Sequence, residues 1–325
     1  LHPVKTSSEE LGLEMQFFDR RLGSDVSVYK SLSEDQIFPV DYSTATGYSS
    51  KYVNAGSVEN KGVEVIFNIT PVRTNDFSWD INLNWSKNEN TVVALRPGVD
   101  VLTLGSLQGG VSIVGTKGNP YGDILGKDYI YNEDGQKVTK NGVYLQTATA
   151  TSVIGNVTPD WIGGVRNKFT YKQVSLGFLI DVQKGGDIFS LDQYYGQSSG
   201  LFASTAGNNE LGNPIRNSLA DGGGILYEGV LSDGSENTIR AAADAYRGAY
   251  YWGSATQNPT QMRVYDAGYV KLREVALTYS LPSTILPKVF RKASISLIGN
   301  NLWIIDKSLP YADPESGLGA QNGQG

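Results

Sequence analysis

The segment Phe77–Ser86, FSWDINLNWS, alternates without a break: Phe77, Trp79, Ile81, Leu83 and Trp85 fall on one side of an extended chain, and Ser78, Asp80, Asn82, Asn84 and Ser86 on the other. Successive side chains point to opposite faces in a β-strand, so a sustained period of two argues for strand and against helix. One face is wholly apolar, while the other asks for water or hydrogen-bonding partners. Segments of this kind assemble into an antiparallel sheet with two unlike faces.

The same design recurs along the chain. Leu11, Leu13, Met15 and Phe17 share a face, the chain turns at Asp19–Arg21, and Leu22, Val26, Val28 and Leu32 return. Val63, Val65, Phe67 and Ile69 form the next set, turning at Pro71–Asp76 into the Phe77 strand. Further on, Val165, Phe169 and Tyr171 lead through a tight turn at Lys172–Gln173 to Val174, Leu176, Phe178, Ile180 and Val182. The last pair carries Val275, Leu277, Tyr279 and Leu281, passes through Pro282–Arg291, where Ser283–Phe290 is a candidate short helix, and returns with Ile295 and Leu297. This predicts eight strands in four hairpins.

Composition narrows the chemistry such a sheet can carry. The 325 residues include no Cys and a single His, His2, which excludes disulfides, thiolate metal sites, cysteine nucleophiles and histidine-based triads. A net charge of -6 argues against nucleic acid as a partner, because phosphate neutralisation needs a basic surface. No stretch approaches the ~18 apolar residues of a membrane-spanning helix. A membrane β-strand needs only ~9–11 alternating residues, so a barrel stays open.

Alternation alone fits any sheet with one solvated face, the soluble sandwich included. Loop asymmetry tilts the reading toward a barrel. Turns within hairpins are short, whereas long external loops are expected at about 37–58, 88–158, 184–265 and 304–325. The polar face, with Asp80, Asn82, Asn84, Asp181 and Gln183, reads as the lining of a wet interior. Trp79, Trp85, Tyr171, Tyr279 and Trp303, at strand ends, read as girdles at the two membrane interfaces. The expected fold is all-β, a transmembrane antiparallel β-barrel. With no signal peptide at the start and a Gly-rich loop at the end, the chain is expected to be a fragment of a larger barrel, since an edge strand in lipid lacks backbone partners.

At this point the segments themselves are informative. The opening LHPVKTSSEELGLEMQFFDRRLGSDVSVYKSLSEDQI, then NAGSVENKGVEVIFNITPV, GNPYGDILGKDYIYNEDGQKV, IGNVTPDWIGGVRNKFTYKQVSLGFLIDVQKGGDIFS, YVKLREVALTYSLP and SISLIGNNLWI, resembles in content and order the C-terminal part of SusC/RagA-like TonB-dependent outer-membrane transporters. The resemblance covers nearly the whole chain. It implies about eight strands of a roughly 22-stranded barrel, without the plug domain, the TonB box, the first strands or the closing strand. It further implies active import of an oligosaccharide or a peptide across the bacterial outer membrane. The implied partners are a SusD-like surface lipoprotein, the TonB-ExbB-ExbD complex acting through the missing N-terminal part, and membrane lipid. No enzyme activity and no cofactor are expected. A passive porin-like or adhesin barrel and a secreted carbohydrate-binding β-sandwich are the alternatives.

Candidate site residues follow from chemistry. Tyr194, Tyr195, Tyr250, Tyr251 and Trp252 offer flat rings on which a sugar or a peptide side chain could stack, although the same rings serve to pack loops or bind a partner protein. Asp80 and Asn82 are the candidate lumen contacts. GDILGK, Gly122–Lys127, falls short of a phosphate loop and is expected to be a loop turn. NEDG at Asn132–Gly135 and SDGSEN at Ser232–Asn237 lack calcium-loop spacing and read as turns. Glu274, among Lys271 and Arg273, is expected on the lumen face in a cross-strand ion pair.

Overall fold

A computed structural model describes residues 1–41, 43–48, 50–243, 258–287 and 289–316. In chain order the strands are β1 (Lys5–Phe17), β2 (Leu22–Asp41), β3 (Ser50–Arg73), β4 (Phe77–Leu95), β5 (Val101–Leu107), β6 (Val111–Thr116), β7 (Tyr121–Gly126), β8 (Thr139–Lys140), β9 (Val143–Tyr144) and β10 (Ser152–Asn156). They continue with β11 (Trp161–Tyr171), β12 (Val174–Lys184), β13 (Asp187–Phe189), β14 (Val264–Asp266), β15 (Tyr269–Ser280) and β16 (Ser294–Lys307), and helix α1 (Leu191–Ser198) lies between β13 and β14. Eight of them form one antiparallel sheet in the order β1-β2-β3-β4-β11-β12-β15-β16. These are the eight strands the alternation predicts, and we call this sheet the wall.

Register carries the apolar face across the whole wall. Leu13 pairs with Val26, Val26 with Val65 and Val65 with Trp85; Leu83 pairs with Val165, Val165 with Ile180, Leu176 with Leu277 and Leu277 with Leu297. Slipping any strand by one residue would send its apolar set to the other face, so the pattern fixes the pairing. None of Leu13, Val26, Val65, Ile81, Leu83, Val165, Leu176, Leu277 and Leu297 is buried, and Leu297 is 75% exposed. Among the described residues no second sheet interleaves with Trp79, Ile81 and Leu83, as a sandwich would demand, and all three stay partly exposed.

The remaining elements form a loop body at the end of the wall opposite the short turns. A four-stranded sheet, β10-β7-β6-β5, packs on the distal parts of β2–β4, where Ala55, Val58 and Val92 are buried beneath it. Val111, Ile124, Ile154, Phe189 and Tyr194 form one small core, and Tyr129, Tyr144, Tyr227 and Ala241 form a second.

Three expectations change. The stretch 37–58 is mostly strand, because β2 runs to Asp41 and β3 starts at Ser50, with Phe38 facing Val53 and Pro39 facing Tyr52. Its polar composition reflects a strand pair standing beyond the apolar belt, where both faces can be wet. Likewise β4 extends to Leu95 and β16 to Lys307, into the stretches 88–158 and 304–325 read as loops. GDILGK is not a loop turn but strand β7, in which Ile124 is 1% exposed. A Cβ at Gly126 would meet Ile154 Cδ1 at 2.4 Å and Thr260 Oγ1 at 2.5 Å, so tight packing explains that glycine. The NEDG and SDGSEN turns form as expected: Asn132 Oδ1 accepts the Asp134 and Gln136 amides, and Asp233 Oδ1 accepts the Ser235 amide and hydroxyl. Of the candidate helix 283–290, Ser283–Ile285 is a single 3₁₀ turn.

Candidate functional site

The outer face of the wall has markers at both ends of its apolar belt. Near the short turns lie Phe17, Phe77, Trp79, Tyr171 and Tyr279, with Trp79 stacked on Phe169 at 5.5 Å. Toward the loop body the same face changes to charge. Lys30 and Lys61 both bind Glu59, at 2.9 and 2.6 Å, and Lys87 binds Glu89 at 2.7 Å. Trp85 and Trp303 sit near that upper boundary, so the expected aromatic girdles occupy both ends. A hydrocarbon slab flanked by amphipathic rings and ions matches this order along each strand.

On the inner face, polar groups satisfy one another. Asn82 Nδ2 donates to Asn68 Oδ1 at 2.7 Å, and Asp80 accepts from Thr70 Oγ1 at 2.8 Å and Ser78 Oγ at 3.2 Å. Arg166 Nη1 reaches Glu274 Oε1 at 2.6 Å, across the intervening strand β12. The ion pair expected of Glu274 is therefore present, with Arg166 rather than Lys271 or Arg273.

Lys271 and Arg273 are placed by a feature that alternation conceals. Register shifts between Leu272 and Glu274 leave Arg273 as the extra residue of a bulge. Counting by two from outward Val275 would send Arg273 and Lys271 into lipid. The bulge reverses parity, so Leu272 faces outward opposite Ile180 while Lys271 faces inward opposite Asp181. Arg273 Nε donates to Asp181 Oδ2 at 2.9 Å, and its Nη1 and Nη2 donate to Glu315 Oε2 and Oε1 at 2.7 and 2.8 Å. Lys271 Nζ donates to Asp313 Oδ1 and Glu315 Oε2, both at 2.5 Å, and Tyr269 Oη donates to Glu315 Oε1 at 3.1 Å. Charge-assisted bonds of this density hold the Glu315 carboxyl down at about 2, with the hydrogen bond from Arg273 as the largest cause. Segment 308–316 is thus pinned to the inner wall beside the loop body, where Leu309 is buried and Tyr311 stacks on Phe202 at 4.6 Å.

The predicted site residues do not converge. Asp80 and Asn82 lie near the short-turn end of β4, whereas Tyr194 and Tyr195 belong to α1 beyond the far end of β12. Tyr194 is 7% exposed and packs on Phe189 and Tyr195, so its ring serves the loop core instead of offering a stacking face. Burial also pushes its hydroxyl pKa up. Tyr195 packs edge-on against it at 5.2 Å. Tyr250, Tyr251 and Trp252 lie outside the described residues.

A cluster the sequence reading missed lies in the loop body. Tyr129, Tyr144 and Tyr227 pack at centroid distances of 4.9 and 4.8 Å, with Lys137 Nζ 3.9 Å from the Tyr129 ring centre. Burial raises the pKa values of Tyr129 and Tyr144, and Glu228 adds to the rise at Tyr144. Tyr144 and Tyr227 border a cavity of about 900 Å³ whose polar lining includes Lys137, Glu210, Glu228 and Glu236. Tyr144 also borders a second cavity of about 480 Å³ with Lys140 and Arg240. The three tyrosines are distant in the chain, and no local sequence pattern joins them.

A sheet with an outer face graded from rings through aliphatics to ions, and a wet inner face crowned by folded loops, defines a transmembrane β-barrel wall. No family model matches the chain. It is 28% identical over 341 residues to TonB-dependent receptor P3 of Formosa agariphila, covering 97% of this chain and 31% of that protein, and 22% identical over 277 residues to TonB-dependent receptor SusC of Bacteroides thetaiotaomicron, covering 80% and 28%. The RagAB peptide transporter structure matches its fold with a TM-score of 0.66 at 19% identity, over 97% of this chain and 33% of that one. Along nearly its whole length, then, the chain is similar in sequence to SusC-like TonB-dependent receptors and in fold to the RagAB transporter barrel. It spans about a third of the length of the relatives it matches.

Proposed function

We propose that this chain supplies wall, lumen surface and external loops to the C-terminal part of a TonB-dependent importer in the bacterial outer membrane. The continuous apolar face, carried in register across eight strands and left uncovered, supports this reading above any other observation. The cargo is a nutrient oligosaccharide or peptide, met first by the tyrosine-bordered cavities of the loop body. A SusD-like lipoprotein caps the loops, and TonB-ExbB-ExbD acts through the part of the transporter that carries the plug. No covalent step is required of these residues, since import needs only binding, gating and release.

Deletion of the gene for the full-length transporter, with complementation by wild type and by a variant lacking the TonB box, tests the reading. Growth on, or uptake of, one glycan or peptide class should be lost on deletion and restored only by wild type. Restoration by both would indicate passive diffusion. Recovery of the protein from the soluble fraction without detergent would refute the membrane location.

A further inference from the structure

The Lys271–Arg273 cluster is asymmetric in a way a simple clasp is not. The cationic half is built into the wall: the Lys271 side chain is 3% exposed and that of Arg273 23%. The anionic half is on a loop and open to solvent, with Asp313 at 41% and Glu315 at 39%. Arg273, Lys271 and Tyr269 together saturate both oxygens of one carboxylate, which is how a planar carboxylate is recognised. If segment 308–316 withdrew alone, Lys271 would lose both of its anions and Arg273 would keep only Asp181. Two wall cations would then share one wall carboxylate, and the vacated Arg273–Lys271–Tyr269 donors would be open to another. A replacement anion therefore favours withdrawal.

We propose that Lys271, Arg273 and Tyr269 form a carboxylate-binding site on the inner wall, occupied here by the chain's own Glu315 and Asp313, which a carboxylate on incoming cargo takes over by exchange, releasing segment 308–316. The proposal rests on the import reading for its cargo and names a chemical class within it: molecules bearing a carboxylate, on a peptide terminus or on an acidic sugar. No covalent bond is made or broken; the cargo carboxylate takes the place of Glu315, and the departure of Asp313 leaves the site with one negative charge fewer.

The test uses the full-length transporter in detergent micelles, where binding needs neither TonB nor the lipoprotein, so failure of import and failure of this site are separable. N-acetyl-triglycine is titrated against its C-terminal amide, and glucuronic acid against glucose, by calorimetry. Exchange of segment 308–316 is followed by hydrogen-exchange mass spectrometry. In the wild type, the acids should bind and speed exchange of the segment, and the neutral partners should do neither. Response to only one acid identifies the cargo source. Glu315→Gln, which removes the internal competitor, should tighten acid binding by about tenfold, and Asp313→Asn should do so to a smaller extent. Lys271→Gln combined with Arg273→Gln should abolish acid binding. Equal binding of acid and neutral forms, or no tightening in Glu315→Gln, would overturn the proposal and leave a fixed clasp. Should the double variant fail to fold, the Glu315 and Asp313 variants decide alone.

Discussion

Within the wall, each strand is located by a backbone ladder and a two-sided pattern, and many side chains could serve at each place provided they respect the face. In the loop body, location depends on particular side chains. The Asn209 side chain donates to the carbonyls of Gly222 and Gly224 and accepts the amides of Leu211 and Asn213. Arg216 bridges the carbonyls of Thr205 and Gly200, each at 2.6 Å. Few repeated backbone pairings are available there, so buried polar groups must find individual partners. The wall should accordingly be sensitive to which face a substitution falls on, and the loop body to which residue is changed.

The largest expected effect tests the wall half of that contrast. Leu83→Arg, on the outer belt, should cost about 2–4 kcal/mol near a bilayer midplane. Asn82→Arg, one residue away on the inner face, should stay within about 1 kcal/mol. Reversible unfolding from lipid vesicles measures both, and similar costs at the two sites would undo the facing assignment. Next in size is the loop body. Asn237 is 2% exposed, donates to the Tyr227 carbonyl at 2.8 Å and takes the Ile239 amide at 3.1 Å. Asn237→Leu leaves both backbone groups unpaired, for about 1–3 kcal/mol. The loss should show as faster hydrogen exchange around residues 225–241 with wall strands unaffected. Faster exchange in the wall as well would mean that the two regions are not independent.

That contrast also explains what was legible beforehand. The eight wall strands and their outward residues could be read because lipid and water on opposite sides impose a period of two on the sequence. Strand ends could not, because beyond the belt both faces are wet and polarity ceases to separate strand from loop; Phe38 and Tyr52 sit in strands for this reason. The inward turn of Lys271 and Arg273 was hidden, since a one-residue bulge reverses parity without leaving a pattern. In the loop body, aromatic content drew the eye to Tyr194, but composition says nothing of burial, and the ring is spent on packing. The Tyr129–Tyr144–Tyr227 cluster joins residues distant in sequence, which no local pattern reveals.

Where wall and loop meet, Glu315 supplies a pH-dependent test. Its carboxyl is lowered from the ordinary value of 4.5 to about 2. A depressed carboxyl contributes attachment that is fully present above the unfolded value and is lost as pH falls through the folded one. Exchange of segment 308–316 should thus be insensitive to this group from pH 8 to about 5 and should rise between about 4.5 and 2. Glu315→Gln should flatten that rise. A rise centred near neutral pH would assign the attachment to some other group.

The smallest effect probes an exception within the wall itself. Asn167 lies on the outer face, opposite Ile81 and Phe178, where a free amide in lipid would be costly. Trp79 Nε1 donates to its Oδ1 at 3.1 Å, so the indole that marks the interface also covers this polar intruder. Interhelical hydrogen bonds in membranes average about 0.6 kcal/mol, and a similar value is expected for this pair between strands. Trp79→Phe should cost about that much beyond its lost contact area in the wild type, and less in an Asn167→Val background, where no amide remains to be satisfied. A double-mutant cycle in vesicles isolates the difference. Strict additivity would mean that Asn167 finds its partner in water, which would place this part of the outer face below the hydrocarbon and shorten the belt from below.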